Sequence, residues 1–422
     1  MKSTGLLFVV FLVSGVATAQ DNSQTSTSFG NNNQIAVTQD GRSNTATARQ
    51  NDAAVNGGSA SGNNNQSTQT QIGRNQTARV DQMGNDQKAV QYQSSDRGQL
   101  ATIRQGSAQA GSHGNVADQR QGGFSQTVAI EQLSGLNYAT QNQSGRNNSA
   151  TILQSVGNSN GANQQQNSVN AYATATQLGT ANGAIQQQSG GSTAGQLHYV
   201  TILQEGNANS AWQLQQSSSL RTEASISQQG QFNEASQTQL GGLASATITQ
   251  VGESNAGTQR QTEGYGQSPF ANPTQATLTQ TGMYNTSTQM QERMDQSSVR
   301  ATQIGLYNTS TQNQSNGNGS RASVSQSGNQ NRATQTQEGS SQSATIEQTG
   351  SGSTAMQEQA AEGNYDTNSA YISQQATGSG NYARQVQLGS GNSARTYQGT
   401  AGNQSEVQQH GANNTTVVRQ NQ

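Results

Sequence analysis

Side-chain amides are the hydrogen-bonding groups that this sequence places at fixed intervals. The pattern Gln-x-Gly-x-x-Asn-x-(Ala/Ser/Thr/Gly)-x-x-x-Gln recurs along nearly the whole chain, and one clear copy runs from Gln250 through Gly252 and Asn255 to Gln261. An amide both donates and accepts hydrogen bonds, so it can bond to an identical amide above or below it. Repetition at a constant interval therefore predicts columns of bonded amides in a stacked-repeat architecture.

The predicted amide ladder consists of the Gln and Asn residues at the three fixed amide positions of the clear copies. These residues are Gln39, Asn44, Gln50, Gln143, Asn148, Gln154, Gln177, Asn182, Gln188, Gln204, Asn209, Gln215, Gln228, Asn233, Gln239, Gln250, Asn255, Gln261, Gln280, Asn285, Gln291, Gln303, Asn308, Gln314, Gln326, Asn331, Gln337, Gln387, Asn392, Gln398, Gln409, Asn414 and Gln420. Near-copies with another residue in the Asn position begin at Gln71, Gln82, Gln239, Gln337 and Gln348. Since Gln228, Gln239 and Gln250 are evenly spaced, each period consists of two half-repeats of about 11 residues.

Each half-repeat has the composition of one short strand bounded by turns. One half ends in segments such as Ala246-Thr247-Ile248-Thr249-Gln250, and the other half ends in Gln-x-Gln. Strand alternation places Ile248 and Gln250 on the inward face and the two threonines on the outward face. The expected buried aliphatic residues are Ile103, Ile152, Ile202, Ile226, Ile248, Leu278, Val324, Ile346 and Ile372.

Glycine two positions after the first Gln is expected to make the turn, because glycine reaches positive φ without steric cost. These turn glycines are Gly41, Gly145, Gly179, Gly206, Gly230, Gly252, Gly282, Gly305, Gly328, Gly389 and Gly411. Both prolines, Pro269 and Pro273, fall in a long interval between strands, where they do not interrupt a strand ladder. Similar long intervals separate Gln50 from Gln71, Gln105 from Gln121, Gln188 from Gln204 and Gln359 from Gln374.

A conventional apolar core is not expected, because only 28% of the 422 residues are hydrophobic. Disordered chains are usually rich in charge, whereas only 9% of these residues are charged. A polar, nearly uncharged chain rich in Gln and Asn is typical of cross-β stacking. The expected fold is therefore an all-β solenoid of about 16 strand-turn-strand coils, each of about 22 residues. The formal charge of −2 argues against nucleic-acid binding, which needs a basic surface.

The first 19 residues have the organisation of a secretory signal peptide. Lys2 precedes an apolar stretch over residues 6–13, and Ala17-Thr18-Ala19 resembles a cleavage site, so cleavage is expected between Ala19 and Gln20. No later segment has the apolar length of a membrane span, so an integral membrane protein is not expected. Cysteine is absent, so stability is expected to come from sources other than disulfides.

No residue combination supports catalysis, and neither a metal ion nor a cofactor is expected. His113, His198 and His410 lie far apart in the repeat frame and are expected on the surface rather than as ligands. A soluble or surface-bound solenoid that binds ice or acts as an adhesin is the alternative function. The outward pair Thr247 and Thr249 suits ice binding, but the threonine array is broken, because the equivalent outward pairs include Thr102/Arg104, Thr151/Leu153, Thr345/Glu347 and Tyr371/Ser373. Scattered charges are expected to limit sideways aggregation.

The repeat resembles the curlin repeat of bacterial curli subunits, Ser-x5-Gln-x-Gly-x-x-Asn-x-Ala-x3-Gln, over residues 35–422. Gln204, Gly206, Asn209, Ala211 and Gln215 match five of its positions. The resemblance implies a β-solenoid that leaves a Gram-negative cell unfolded, through the periplasm, and forms extracellular amyloid fibres for adhesion and biofilm. It also implies an outer-membrane secretion pore addressed by residues 20–34, a nucleator subunit and periplasmic chaperones as partners.

The sequence departs from the family pattern in three ways, one of which is that the leading Ser is often Ala or absent. The chain has about three times the usual handful of repeats, and Gln often replaces a small aliphatic residue two positions before the second-strand Gln, as at Gln259. Full motifs stand near both ends, Gln39–Gln50 and Gln409–Gln420, where atypical repeats cap solenoids that stay monomeric. The sequence therefore predicts end-to-end self-assembly without a cofactor.

Overall fold

The computed structural model describes residues 21–52, 62–95, 97–106, 112–190, 197–217, 221–262, 273–361 and 367–420, and the regular structure in these residues is β-strand. They divide between Ser159 and Asn160 into two compact units, called unit 1 and unit 2 in chain order. The expected signal peptide and its cleavage site lie outside the described residues.

Unit 1 contains strands β1 to β11. Their bounds are β1 Ser23–Ser28, β2 Gln34–Arg42, β3 Thr45–Gln50, β4 Gln66–Arg74, β5 Thr77–Gln82, β6 Lys88–Ser95, β7 Leu100–Gln105, β8 Val116–Gly122, β9 Thr127–Gln132, β10 Tyr138–Arg146 and β11 Ser149–Ser155. Odd-numbered strands pair in parallel in the order β1-β3-β5-β7-β9-β11, which we call the odd sheet. Even-numbered strands pair in parallel in the order β2-β4-β6-β8-β10, the even sheet.

Unit 2 continues the same alternation with strands β12 to β33. Their bounds are β12 Gly161–Val169, β13 Ala171–Thr180, β14 Gly183–Gly190, β15 His198–Asn207, β16 Ser210–Ser217, β17 Thr222–Gln231, β18 Glu234–Leu240, β19 Ala244–Glu253, β20 Ala256–Thr262, β21 Thr274–Met283, β22 Thr286–Asp295, β23 Ser298–Leu306, β24 Thr309–Asn318, β25 Arg321–Asn329, β26 Arg332–Glu338, β27 Ser343–Ser351, β28 Thr354–Ala360, β29 Ser369–Ser379, β30 Tyr382–Ser390, β31 Ser393–Gln398, β32 Gln404–Ala412 and β33 Thr415–Gln420. Its odd sheet runs from β13 to β33 and its even sheet from β12 to β32, each in steps of two strands.

The expected all-β solenoid is confirmed. Counted over both units, it has about 15 turns of about 23 residues, close to the expected 16 turns of about 22. Each coil places one strand in each sheet, and alternate side chains point into the space between the sheets. In β19 the buried positions are Ala244, Ala246, Ile248 and Gln250, which is the face assigned from the sequence.

Register is kept from coil to coil, apart from one shift between β27 and β29 after Thr349, because similar residue types face inward at the same strand position. Gln228 pairs with Gln250 and Ile226 with Ile248 between β17 and β19. A slip by one residue would turn these inward residues toward solvent. The repeat therefore specifies its own register.

Several sequence expectations concern the ends and connections of the strands. β1 lies inside residues 20–34, which the resemblance assigned to secretion, and pairs with β3 from Ser23 onward. Pro273 directly precedes β21, where it occupies no ladder position. Residues 53–61, 107–111, 191–196, 263–272 and 362–366 fall in the five long intervals and lie outside the described residues, as does Pro269.

Candidate functional site

The interior of each unit holds three columns of glutamines, and these columns are the candidate site. The odd column lies in the odd sheet and contains Gln50, Gln82, Gln105, Gln132 and Gln154 in unit 1, and Gln177, Gln204, Gln228, Gln250, Gln280, Gln303, Gln326, Gln348, Gln374, Gln398 and Gln420 in unit 2. The even column contains Gln39, Gln71, Gln93, Gln121 and Gln143, then Gln166, Gln188, Gln215, Gln239, Gln261, Gln291, Gln314, Gln337, Gln359, Gln387 and Gln409.

The third column lies in the even sheet, two residues before the even column. It contains Gln69, Gln91, Gln119 and Gln141 in unit 1, and Gln164, Gln186, Gln213, Gln237, Gln259, Gln289, Gln312, Gln335, Gln357 and Gln385 in unit 2. The predicted ladder omitted these residues, although the recurrent Gln-x-Gln ending was the signal for them. The amide core is therefore wider than the sequence motif alone suggested.

Most glutamines of the three columns bond both along their column and across the core. Gln250 accepts from Gln228 Nε2 at 2.8 Å, and its own Nε2 donates to Gln280 Oε1 at 2.8 Å. The same Nε2 donates to the carbonyl oxygen of Glu234 in the even sheet at 2.9 Å. One side chain thus joins three coils and both sheets, which satisfies an amide that would otherwise cost about 1–3 kcal/mol to bury.

The Gln–Gln bonds within each unit share one direction. In unit 1, Gln82 Nε2 donates to Gln105 Oε1, and in the third column of unit 2, Gln237 Nε2 donates to Gln259 Oε1. The donor belongs to the earlier coil and the acceptor to the later coil in both cases, as in the other Gln–Gln bonds of the columns. Each column therefore presents acceptors toward earlier coils and donors toward later coils.

The asparagines of the motif bond at the corners between the two sheets. Asn255 Nδ2 donates to the Gly282 carbonyl oxygen at 2.9 Å, and Asn255 Oδ1 accepts from the backbone N–H of Asn285 at 3.1 Å. Each Asn therefore ties its own turn to the glycine and the asparagine of the next coil. These contacts explain why the motif keeps glycine and asparagine three residues apart.

The predicted turn glycines all have φ between 92° and 132°. Close approach between coils adds a second requirement. A Cβ on Gly252 would lie 1.9 Å from the carbonyl oxygen of Gly282 in the next coil. Glycine is thus required by its own dihedral angle and by its neighbour's backbone.

The residue directly before the motif asparagine occupies the left-handed region, which the sequence did not reveal. The φ angle lies between 53° and 58° at Ser43, Asn147, Ala181, Ala208, Phe232, Ser254, Tyr284, Tyr307, Gln330 and Asn413. This conformation costs an L-residue roughly 1–2 kcal/mol. The residue type varies at this position, so the sequence does not indicate the left-handed conformation.

The structure buries almost all of the predicted site residues. Of the predicted ladder, Gln39, Asn414 and Gln420 are half-buried, and the other members are buried. The nine predicted aliphatic residues are at most 1% exposed. Val80 and Ile130 occupy the same inward position in unit 1 and were missed, because their strands depart from the pentapeptide used to find the others.

His198 is buried, so the expected surface position for this residue is wrong. The residue is 2% exposed, and its Nδ1 lies 2.8 Å from Thr222 Oγ1. Burial lowers the pKa of His198 below its usual value. It occupies an inward position of β15, where its neighbours in the adjacent strands are Ala171 and Thr222. The alternation of side chains along β15 predicts this inward position. His113 and His410 are exposed.

Comparisons and ligand geometry give no further assignment. Within the described residues, no group of three or more His, Cys, Asp or Glu side chains is arranged to hold a metal ion. The described part of the chain also contains no helix long and apolar enough to span a membrane. A scan against protein-family models gives no match, and no curated protein matches the chain.

Proposed function

We propose that this protein is the structural subunit of extracellular, curli-like amyloid fibres that assemble end to end after secretion, for adhesion and biofilm formation. The observation that carries the proposal is the pair of directional amide columns that reach the last described coil, the even column at Gln409 and the odd column at Gln420. The secretion pore, the nucleator and the periplasmic chaperones enter the proposal from the repeat resemblance.

The outermost described strands support the proposal because they leave ladder groups available. In β33 the inward residues Thr416, Val418 and Gln420 are only half-buried, whereas the matching positions of β31 are buried. In β2 the even-column residue Gln39 is also half-buried. Within the described residues Gln420 Nε2 donates only to the Gln404 carbonyl oxygen, so one of its hydrogens remains for Ser28, which holds the matching position in β1 of a second copy.

The backbone at β33 is equally suited to addition of another strand. Ser393 N donates to the Asn414 carbonyl oxygen at 2.7 Å, so Asn414 faces β31. Backbone groups alternate sides along a strand, and the N–H groups of Thr415, Val417 and Arg419 therefore point away from β31. An open row of donors is a template for strand pairing with another chain.

A proline at Val417 tests the proposal, because it removes one outward N–H and leaves the bonds to β31 intact. The Val417 side chain is exposed, and Val417→Thr is the matched control that keeps the N–H. We expect wild-type protein at micromolar concentration to form fibres after a lag, and preformed fragments to abolish that lag. A small amount of Val417→Pro should cap growing ends and slow elongation, whereas Val417→Thr should not.

Fibre diffraction provides the second readout, with a meridional reflection expected at about 4.7–4.8 Å. Wild-type protein that remains monomeric for days with strand-rich circular dichroism would refute the fibre proposal and favour a soluble binding solenoid. Equal elongation in the presence of the proline and threonine variants would show that growth does not use the β33 edge.

A further inference from the structure

An edge of unit 1 carries four exposed arginines on five consecutive even strands. Arg42, Arg74, Arg97 and Arg146 follow or end β2, β4, β6 and β10, and Phe124 holds the equivalent place after β8. We call these five residues the arginine edge. In three of the four cases the arginine directly follows a glycine. In unit 2, none of the turn glycines is followed by an arginine.

Backbone contacts link Arg42 with Arg74, and they link the segments of Arg97, Phe124 and Arg146, on successive coils. Arg42 pairs with Arg74, and Phe124 forms a bridge with Arg146. The Arg97 carbonyl oxygen accepts from Ser125 N, in the way that the Arg42 carbonyl oxygen accepts from Asn75 N. At about 4.7–4.9 Å per coil, the edge extends roughly 19–20 Å.

The four guanidinium groups have no carboxylate partner within the described residues. Other arginines do have one, as in the pairs Arg79–Asp81, Arg104–Glu131 and Arg384–Glu406. Like charges stacked one coil apart repel each other, so their repetition is unfavourable unless a counter-charge binds.

We propose that the arginine edge binds a linear polysaccharide that carries repeated carboxylates, such as a uronic-acid polymer. Guanidinium groups bind carboxylates through paired hydrogen bonds, and regularly spaced groups along an edge engage a linear polymer at several points at once.

The aromatic content of the edge favours a glycan over single-stranded nucleic acid. Nucleic-acid binders combine basic residues with free aromatic faces on which bases stack. Phe124 is the one ring of the arginine edge, and the Arg146 guanidinium already lies 5.6 Å from its centroid. Carboxylate binding needs no stacking surface. This inference is independent of fibre formation, since the edge runs along the coils rather than at their ends.

Fluorescence anisotropy with labelled polygalacturonate tests the proposal on the full chain. The test variant changes Arg42, Arg74, Arg97 and Arg146 to Gln, the residue that follows Gly230 in unit 2. The control changes Arg260, Arg300, Arg321 and Arg332 to Gln, which alters net charge equally at four exposed positions of unit 2. We expect affinity to fall about tenfold or more in the edge variant and less than about threefold in the control.

A second variant with Lys at the four edge positions keeps the charge and removes the planar fork, so it should bind with intermediate affinity. Circular dichroism verifies that each variant keeps its strand content. Equal losses in the edge and control variants would overturn the proposal in favour of net charge alone. Absence of wild-type binding would overturn it, and so would tighter binding of a thymidine oligonucleotide through the same arginines.

Discussion

Replacing Gln250 with Leu tests whether the amide columns stabilise the fold. Leucine keeps an inward apolar side chain of similar size but cannot bond to Gln228, Gln280 or Glu234. Gln280 Oε1 would lose its donor in a fully buried position, whereas Gln228 Nε2 would keep the Ser210 carbonyl oxygen at 3.0 Å. One fully unsatisfied acceptor costs about 1–3 kcal/mol, and the added apolar contact offsets part of the second lost bond. We therefore expect the free energy of unfolding to fall by about 1–3 kcal/mol.

Guanidinium denaturation followed by circular dichroism measures this change, and hydrogen exchange localises it to β17, β19 and β21. Thr249→Ser is the matched control, because Thr249 is adjacent but faces outward, and surface substitutions usually change stability by less than about 0.5 kcal/mol. Fibre formation should be slower for Gln250→Leu than for the control. Equal effects of the two substitutions would show that inward amides do not hold the coils together.

Three further predictions concern the turns and the buried histidine. Gly252→Ala should cost about 2–4 kcal/mol in denaturation experiments, because its φ is 124° and the added Cβ would meet Gly282, whereas Gly161→Ala has open space and should cost little. Ala208→Gly should stabilise by about 0.5–1 kcal/mol, because its φ of 53° strains alanine, while Ala211→Gly at a buried inward position should destabilise. Since burial lowers the pKa of His198, its stabilising contribution is complete above the unfolded value near 6.5 and is lost as pH falls toward the lower folded value. Denaturation at several pH values should therefore show less acid sensitivity in His198→Ala, and an unchanged profile would contradict this reasoning.

The sequence predicted the fold because inward residues and periodicity depend on the same spacing. Gln228, Gln250 and Gln280 recur at the interval that stacks them, so their shared column followed from counting residues. The inward place of Ile248 followed from strand alternation. Both arguments need only the repeat period, which is read from the sequence, and the alternation of side chains that all strands share.

Other features depend on geometry that a period does not encode. The same glutamines could bond in either direction along a column, so their residue types do not determine the direction of the Gln–Gln bonds. The left-handed backbone before each asparagine accepts alanine, serine, phenylalanine and tyrosine alike, so no residue type signals it. His198 was misplaced because a lone histidine was judged by its residue type rather than by its strand position.

The shared direction of the amide bonds also has an electrical consequence. Peptide-like amides carry dipoles of about 3.5 D, and head-to-tail alignment in a helix sums them into a macrodipole. Neighbouring backbone groups in a strand point to opposite sides, so their dipoles along the stacking direction largely cancel. The side-chain columns do not cancel, since Gln228, Gln250 and Gln280 point the same way. The amide columns of each unit therefore add up to a dipole that is positive toward the later coils.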